Sequence, residues 1–165
     1  AGEVTTATDI LCLGDDDIAT FYCAQSSINT SDARDKADVT NFTGGLTWIN
    51  AMRPITYKWD KRSWYAPKEE YDEVGEITRA GPTPADILAA VPDGTHKKTA
   101  LNVGLVAQEV LDIEKANGFG SNNDTSLVVD LTADETSYGL DYSRIVPILI
   151  SAIKELSAKV DALES

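Results

Sequence analysis

Apolar positions recur with different periods in different parts of the chain. Near the C-terminus, Val146, Ile153 and Val160 alternate with Leu149, Leu156 and Leu163 in unbroken 3,4 spacing, the pattern of a helix that lays one apolar seam against a partner. β-Branched residues at one core position and Leu at the other favour two strands in isolated parallel coils, so the seam by itself sets no oligomer number. With fewer than three heptads, a helix packed on its own domain fits the pattern equally well.

Upstream the period shortens. Residues 126–131 and 138–142 read as strands, and residues 102–106 read as a strand that passes into a helix through Ala107, Val110 and Leu111. After the Gly44-Gly45 pair, Leu46, Ile49 and Met52 stand at helical spacing. That helix stops before Pro54, because the residue preceding a proline is pushed out of the α region. Ile55 to Trp59 alternates as a half-buried strand does. Residues 60–100 are rich in Pro, Gly and charge and read as a surface excursion with one short helix at 84–91, opened by Pro84 in its first turn. An insertion of this length is tolerable because loop-closure cost rises only logarithmically.

Residues 1–30 are rich in Thr, Ile, Val and aromatics, with strands expected at 9–13 and 18–23 around the acidic turn Gly14 to Asp17. A lone hairpin is marginal in water and needs a partner surface. The expected fold is α+β: a small, mainly antiparallel sheet with helices and a long C-terminal helix, preceded by a short β-rich piece. Because it opens at Ala1 in strand-like sequence, the chain reads as a fragment of something longer.

With 165 residues, 42% of them hydrophobic, one globular domain can bury a core without disulfides or metal. Lys+Arg is 14 against Asp+Glu 27, a net charge of -13, which repels phosphate backbones and anionic headgroups and leaves neither nucleic acid nor membrane as an expected partner. No apolar run approaches the roughly 20 residues that cross a bilayer, and no basic region precedes a hydrophobic start, so a soluble protein is expected. Cys12 and Cys23 read as buried free thiols in a reducing cytosol. No metal-spaced Cys/His set exists and no cofactor is expected.

Ser31 and Lys36 form the pairing with nucleophile and base logic, since a lysine kept neutral by burial can deprotonate a serine hydroxyl without histidine. Ser-Asp is also a common helix N-cap opening, and composition alone favours capping over catalysis. Residues five apart on an α-helix point about 140° away from each other. A working pair therefore needs Ser31 in a turn, or a lysine from a neighbouring subunit. His96 reads as a surface histidine, and Trp48 and Trp59 read as packing residues more than as a carbohydrate platform with Trp64 and Tyr65. Asp15 to Asp17 lacks the spaced ligands and closing Glu of a calcium loop and reads as a solvated turn.

Four blocks then follow in order: Ser31-Asp32-Ala33-Arg34-Asp35-Lys36, Arg53-Pro54-Ile55-Thr56-Tyr57-Lys58-Trp59, Gly104-Leu105-Val106-Ala107-Gln108-Glu109-Val110, and Tyr142 to Leu149 running into Ala152 to Leu156. This succession resembles the endosialidase-type intramolecular chaperone over about residues 31–163. The resemblance implies a domain at the C-terminus of phage tailspikes, tail fibres and neck appendages that trimerises, guides folding of the β-rich stalk before it, and then cuts itself off.

On that resemblance, residues 1–30 are the end of a stalk and 31–165 a chaperone and autoprotease domain, assembled as a homotrimer. Ser31 matches the nucleophile and Lys36 the general base, with Asp32 and Arg34 at supporting motif positions and the scissile bond at Thr30–Ser31. The partners are further copies of the chain and its own preceding stalk. The expected location is the host cytoplasm during virion assembly, the stalk staying in the virion tail and the chaperone part being released. A non-cleaving trimerisation cap and a receptor-binding tip are the alternatives. Asp35 stands where relatives often carry an apolar residue, and a nearby carboxylate favours the charged form of lysine. The 60–100 excursion fits an arm that grips the stalk.

Overall fold

The structure, a computed structural model, describes residues 30–132 and 135–164, together with the backbone pairing of Thr6–Ala7 (β1) with Ile10–Leu11 (β2). Of the hairpin expected between 9–13 and 18–23 only Ile10–Leu11 is described, and it pairs with Thr6–Ala7; the rest, with Cys12, Cys23 and Asp15 to Asp17, lies outside the described residues. The chain forms two compact units, 1–40 and 41–165.

In the second unit, α1 (Gly45–Ala51), β3 (Ile55–Tyr57), β4 (Glu70–Tyr71), β5 (Ile77–Arg79), α2 (Pro84–Ala89), β6 (Asn102–Gly104), α3 (Ala107–Ala116), β7 (Val129–Leu131), β8 (Tyr138–Leu140) and α4 (Ile145–Glu164) follow in order. The α+β class holds, but the single small sheet expected from the sequence does not form. Among the described residues there are four separate two-stranded antiparallel ribbons: β1–β2, β3–β6, β4–β5 and β7–β8. Strands of two or three residues satisfy one neighbour and offer no ladder to a third; α3 packs on β7 and β8, whereas β4 and β5 are exposed.

The core lies where α1, α3 and α4 meet the β7 entry: Trp48, Val110, Val128, Val129, Ile145 and Ile148 are buried together. Trp48 meets Phe42 and Phe119 edge-on, with centroids 5.5 Å and 6.0 Å away, the favoured geometry for aromatic pairs. α1 ends as its sequence dictates, with the Met52 N–H on the Trp48 carbonyl and Pro54 two residues on.

The start of α1 has no capping side chain of its own. Glu155 on α4 supplies it, accepting from the N–H groups of Gly45 (2.8 Å) and Leu46 (3.3 Å) and from the Ser151 hydroxyl (3.1 Å). A carboxylate at a helix N-terminus satisfies orphan donors and complements the helix dipole. Burial acts to raise the Glu155 carboxyl, but the N–H groups of Leu46 and Gly45 and the Ser151 hydroxyl outweigh it and hold it below its usual range.

The same junction explains the glycine pair. Gly44 has φ +81°, and a Cβ on Gly45 would lie 2.6 Å from both the Ala152 nitrogen and the Ile148 carbonyl oxygen. Backbone atoms cannot step aside, so Gly45→Ala is expected to destabilise the unit by about 1–3 kcal/mol. A lowered urea midpoint with unchanged slope would show it; a midpoint equal to the parent would mean that α1 slides freely along α4.

Glu114 is fully buried one turn beyond Val110 on α3. Its carboxylate accepts from the Ser126 hydroxyl (2.6 Å) and from the N–H groups of Leu127 (3.3 Å), Val128 (2.7 Å) and Val129 (3.1 Å). These donors lie where the sequence reading began a strand at Ser126. The ladder instead begins at Val129, because the preceding amides turn inward to the carboxylate.

Two of the sequence blocks are joined by contacts between side chains. Arg53, just before β3, forms a two-pronged ion pair with Glu109 on α3. Both side chains are largely exposed, so the pair contributes little to stability. The Tyr142 hydroxyl accepts the Leu105 N–H at 2.9 Å, and a Cβ on Gly104 would lie 2.7 Å from that oxygen. The absence of a side chain at Gly104 is what lets the tyrosine close over β6.

The 60–100 excursion has structure of its own. β4 and β5 pair around a turn at Gly75, and α2 opens on a capping box between Thr83 and Asp86 with Pro84 in its first turn. The helix ends at Ala89, short of the expected residue 91. The Tyr65 hydroxyl donates to Asp60 and accepts from the N–H groups of Gly94 and His96, and the Lys98 N–H reaches the Trp59 carbonyl at 2.8 Å. Trp59 corrects the sequence reading. It is 47% exposed, edge-on to Tyr57 with the Lys61 ammonium over its ring, because β3 ends at Tyr57 and carries Trp59 beyond the ribbon.

Candidate functional site

Thr30, Ser31, Asp32, Arg34 and Lys36 lie together in one exposed segment of the first unit. Ala33–Asp35 forms a 3-10 turn, with Asp32 as its N-cap and Lys36 as its C-cap. The tighter turn resolves the spacing problem of a regular helix: the Lys36 Nζ lies 2.6 Å from the Ser31 Oγ. An ammonium donates along that line, whereas a neutral amine accepts the hydroxyl proton along it. The lysine comes from the same chain, and no neighbouring subunit is needed to form the pair.

Asp32 builds this turn. Its Oδ1 accepts the Arg34 N–H at 2.9 Å, the interaction an N-cap side chain makes. The Arg34 guanidinium returns to the same carboxylate, Nε at 3.0 Å and 3.2 Å from its two oxygens and Nη2 at 2.6 Å from Oδ2. The Arg34 side chain and then its backbone N–H hold the Asp32 carboxyl below the usual range, and Asp32 raises the guanidinium in turn. The sequence marked Asp32 and Arg34 only as supporting positions. Their mutual clamp was not read from it, although two oppositely charged residues flanking one position are its signal.

Ser31 and Lys36 are exposed in the single chain. The burial invoked to keep the lysine neutral is therefore not supplied within one copy, because a turn of three residues offers no core to sink into. Lys36 makes no ion pair among the described residues; the four ion pairs found there are Arg34–Asp32, Arg53–Glu109, Arg79–Glu70 and Arg144–Asp141. No group of His, Cys, Asp and Glu among the described residues has the arrangement of a metal site. A cleft of about 420 Å³ opens between Lys115, Asn122, Asp124, Glu135 and Tyr138 and contains neither Ser31 nor Lys36.

The C-terminal helix has two faces. Ile145, Ile148 and Ala152 are buried against α1 and the core, while Val146, Leu149, Ile153, Leu156, Val160 and Leu163 are all exposed, Ile153 by 65% and Leu163 by 87%. The 3,4 seam is thus a different stripe from the one that packs on the helix's own domain. His96 is exposed, with its ring edge-on to Tyr65. No helix among the described residues is long and apolar enough to cross a membrane.

The described residues thus hold an α+β unit whose C-terminal helix carries an exposed apolar stripe, and a serine–lysine contact on a 3-10 turn. The family model Peptidase_S74, described as chaperone of endosialidase, matches residues 31–119, more than half of the chain and beginning at Ser31. The chain belongs to the chaperone-of-endosialidase family. No curated protein matches it.

Proposed function

We propose that this chain is the C-terminal assembly domain of a phage tail fibre or tailspike, which forms a homotrimer through the α4 seam, guides folding of the β-rich segment before it, and then severs itself at Thr30–Ser31. Residues 1–30 stay with the stalk in the virion tail, and 31–165 are released in the host cytoplasm during assembly. Membership of a chaperone family supports the first role. The contact between the Lys36 Nζ and the Ser31 Oγ at 2.6 Å is the observation that carries the second.

In the cleavage step the Lys36 amine takes the Ser31 hydroxyl proton as Oγ attacks the Thr30 carbonyl carbon. The Thr30–Ser31 C–N bond breaks and the nitrogen receives the proton, leaving an ester between Thr30 and the Ser31 Oγ and a free amine on Ser31. Water then hydrolyses the ester, giving the Thr30 carboxylate and restoring the hydroxyl. The desolvation that keeps Lys36 neutral falls to neighbouring subunits, which makes cutting follow assembly.

The physics of a stalk favours this order. Three chains must come into register before non-local contacts stabilise any of them, and such pairing is slow and open to aggregation. A domain that trimerises first raises the local concentration of the stalk strands. Removing it afterwards leaves the product held by the barrier to unfolding.

Intact mass spectrometry of the wild-type chain beside Ser31→Ala and Lys36→Ala, with native mass on the same samples, tests the reading. Two fragments meeting at Thr30–Ser31 are expected in wild type alone, each variant being slower by roughly a thousandfold or more, with trimers in all three. Uncut chains throughout would leave a non-cleaving cap, and monomers throughout would remove the assembly role.

A further inference from the structure

The turn that joins Ser31 to Lys36 carries a conflict of charge. Asp32, Asp35 and Asp38 all lie within a few residues of the lysine, and a nearby carboxylate favours the charged form, which cannot accept a proton. Asp32 cannot simply be dispensed with, since its side chain caps the turn through the Arg34 N–H at 2.9 Å. The residue that bends the chain is therefore also a carboxylate four residues from the base.

We propose that Arg34 is a positioning residue that acts through Asp32, clamping the carboxylate that caps the turn so that the Lys36 amine is left to the Ser31 hydroxyl instead of pairing with it. This deepens, and rests on, the self-cleavage reading. Both Asp32 oxygens are engaged by the guanidinium, whereas Lys36 makes no ion pair with Asp32, Asp35, Asp38 or any other described carboxylate. The contact found at its Nζ is the serine oxygen.

Arginine suits this task because its planar fork matches two carboxylate oxygens and it stays charged at any pH at which a lysine can lose its proton. A lysine at position 34 would compete with Lys36 for the same role and would itself titrate. Asp35 and Asp38 point their charge at no cation within ion-pair distance among the described residues. Asp32 is the carboxylate whose freedom the chain restrains.

The test is the rate of self-cleavage against pH for the full wild-type chain, Arg34→Gln, Asp32→Asn and the Asp32→Asn/Arg34→Gln double variant. Asparagine caps a turn about as well as aspartate, so the double variant keeps the bend and loses the charge. Arg34→Gln is expected to move the midpoint of cleavage alkaline by roughly 0.5 to 1 pH unit and to slow it three- to tenfold below that midpoint. The double variant is expected to return to the midpoint of Asp32→Asn alone.

A second readout does not need cleavage. In the Ser31→Ala chain, labelling of the Lys36 amine by acetic anhydride, measured relative to Lys154 by peptide mass, is expected to slow roughly threefold to tenfold on Arg34→Gln and to recover in the double variant. An Arg34→Gln chain that cuts more slowly at every pH, with its midpoint and its Lys36 labelling unmoved, would overturn the inference and leave Arg34 a shaper of the turn. If the wild-type chain fails to cut, the cleavage reading falls by itself, and the labelling ratios still decide whether Arg34 shields Lys36 from Asp32.

Discussion

Glu114→Ala is expected to remove about 3 to 5 kcal/mol of stability from the 41–165 unit, enough to unfold a marginal domain. The carboxylate is fully buried and receives the Ser126 hydroxyl and the N–H groups of Leu127, Val128 and Val129. Its removal leaves several buried donors without an acceptor, each costing about 1–3 kcal/mol though not additively. The loss would spread, because Val128 and Val129 belong to the core and β7 continues from them into its pairing with β8. Glu114→Gln retains one acceptor oxygen but turns an NH₂ toward donors, and is expected to cost about 1–3 kcal/mol. Urea unfolding followed by the fluorescence of Trp48, in the Ser31→Ala chain so that no cut intervenes, gives the comparison. A loss below about 1 kcal/mol for Glu114→Ala would mean that water replaces the carboxylate and that the buried network is not what holds the β7 entry.

Sequence reasoning reached elements whose signals are local. The stop of α1 before Pro54, the opening of α2 at Pro84 and the passage from β6 into α3 rest on neighbouring residues and appear where those residues predict. The arrangement of strands was less legible. Alternation over a few residues identifies a strand but not its partner, and β3 pairs with β6 across the whole excursion. Trp59 was misplaced because alternation was followed two residues past the end of the ribbon. Glu114 near the end of α3 was not singled out in the sequence, although the helical period that buries Val110 puts position 114 on the same face. Its meaning depends on amides from residues 126–129, which no local pattern announces.

The serine–lysine pair was legible as a motif and not as a geometry. Spacing excluded a regular helix and left a turn or a lysine from a neighbouring subunit, and the 3-10 turn Ala33–Asp35 brings the two side chains together within one chain. What spacing could not convey is exposure. The lysine lies open in a single copy, so the chemistry proposed for it needs desolvation from outside that copy. The apolar seam lies open as well, and the proposed assembly would cover it.

Replacing Ile153 and Leu156 by Glu is expected to abolish the proposed trimer while leaving each chain folded. Both side chains are exposed in the single chain, whereas the buried residues of α4 are Ile145, Ile148 and Ala152 and its contact with the start of α1 runs through Glu155. A substitution on the seam thus spares the buried contacts of the monomer. In the trimer it would bring the introduced carboxylates of three chains to one axis and desolvate them without partners, a penalty of several kcal/mol per charge. Association should weaken by at least about a thousandfold. Native mass and far-ultraviolet circular dichroism read the two halves of the prediction, with Lys154→Glu, on an exposed position between the seam residues, as the control for added charge. Monomers with undiminished helicity are the expected result for the double variant, and trimers for the control. If assembly shields Lys36, the same variant should also lose self-cleavage, although Ser31, Lys36 and the turn between them are untouched. A trimer that survives both glutamates would move the interface off α4. A monomer that still cuts would show that the pair works in the open, with no need of its neighbours.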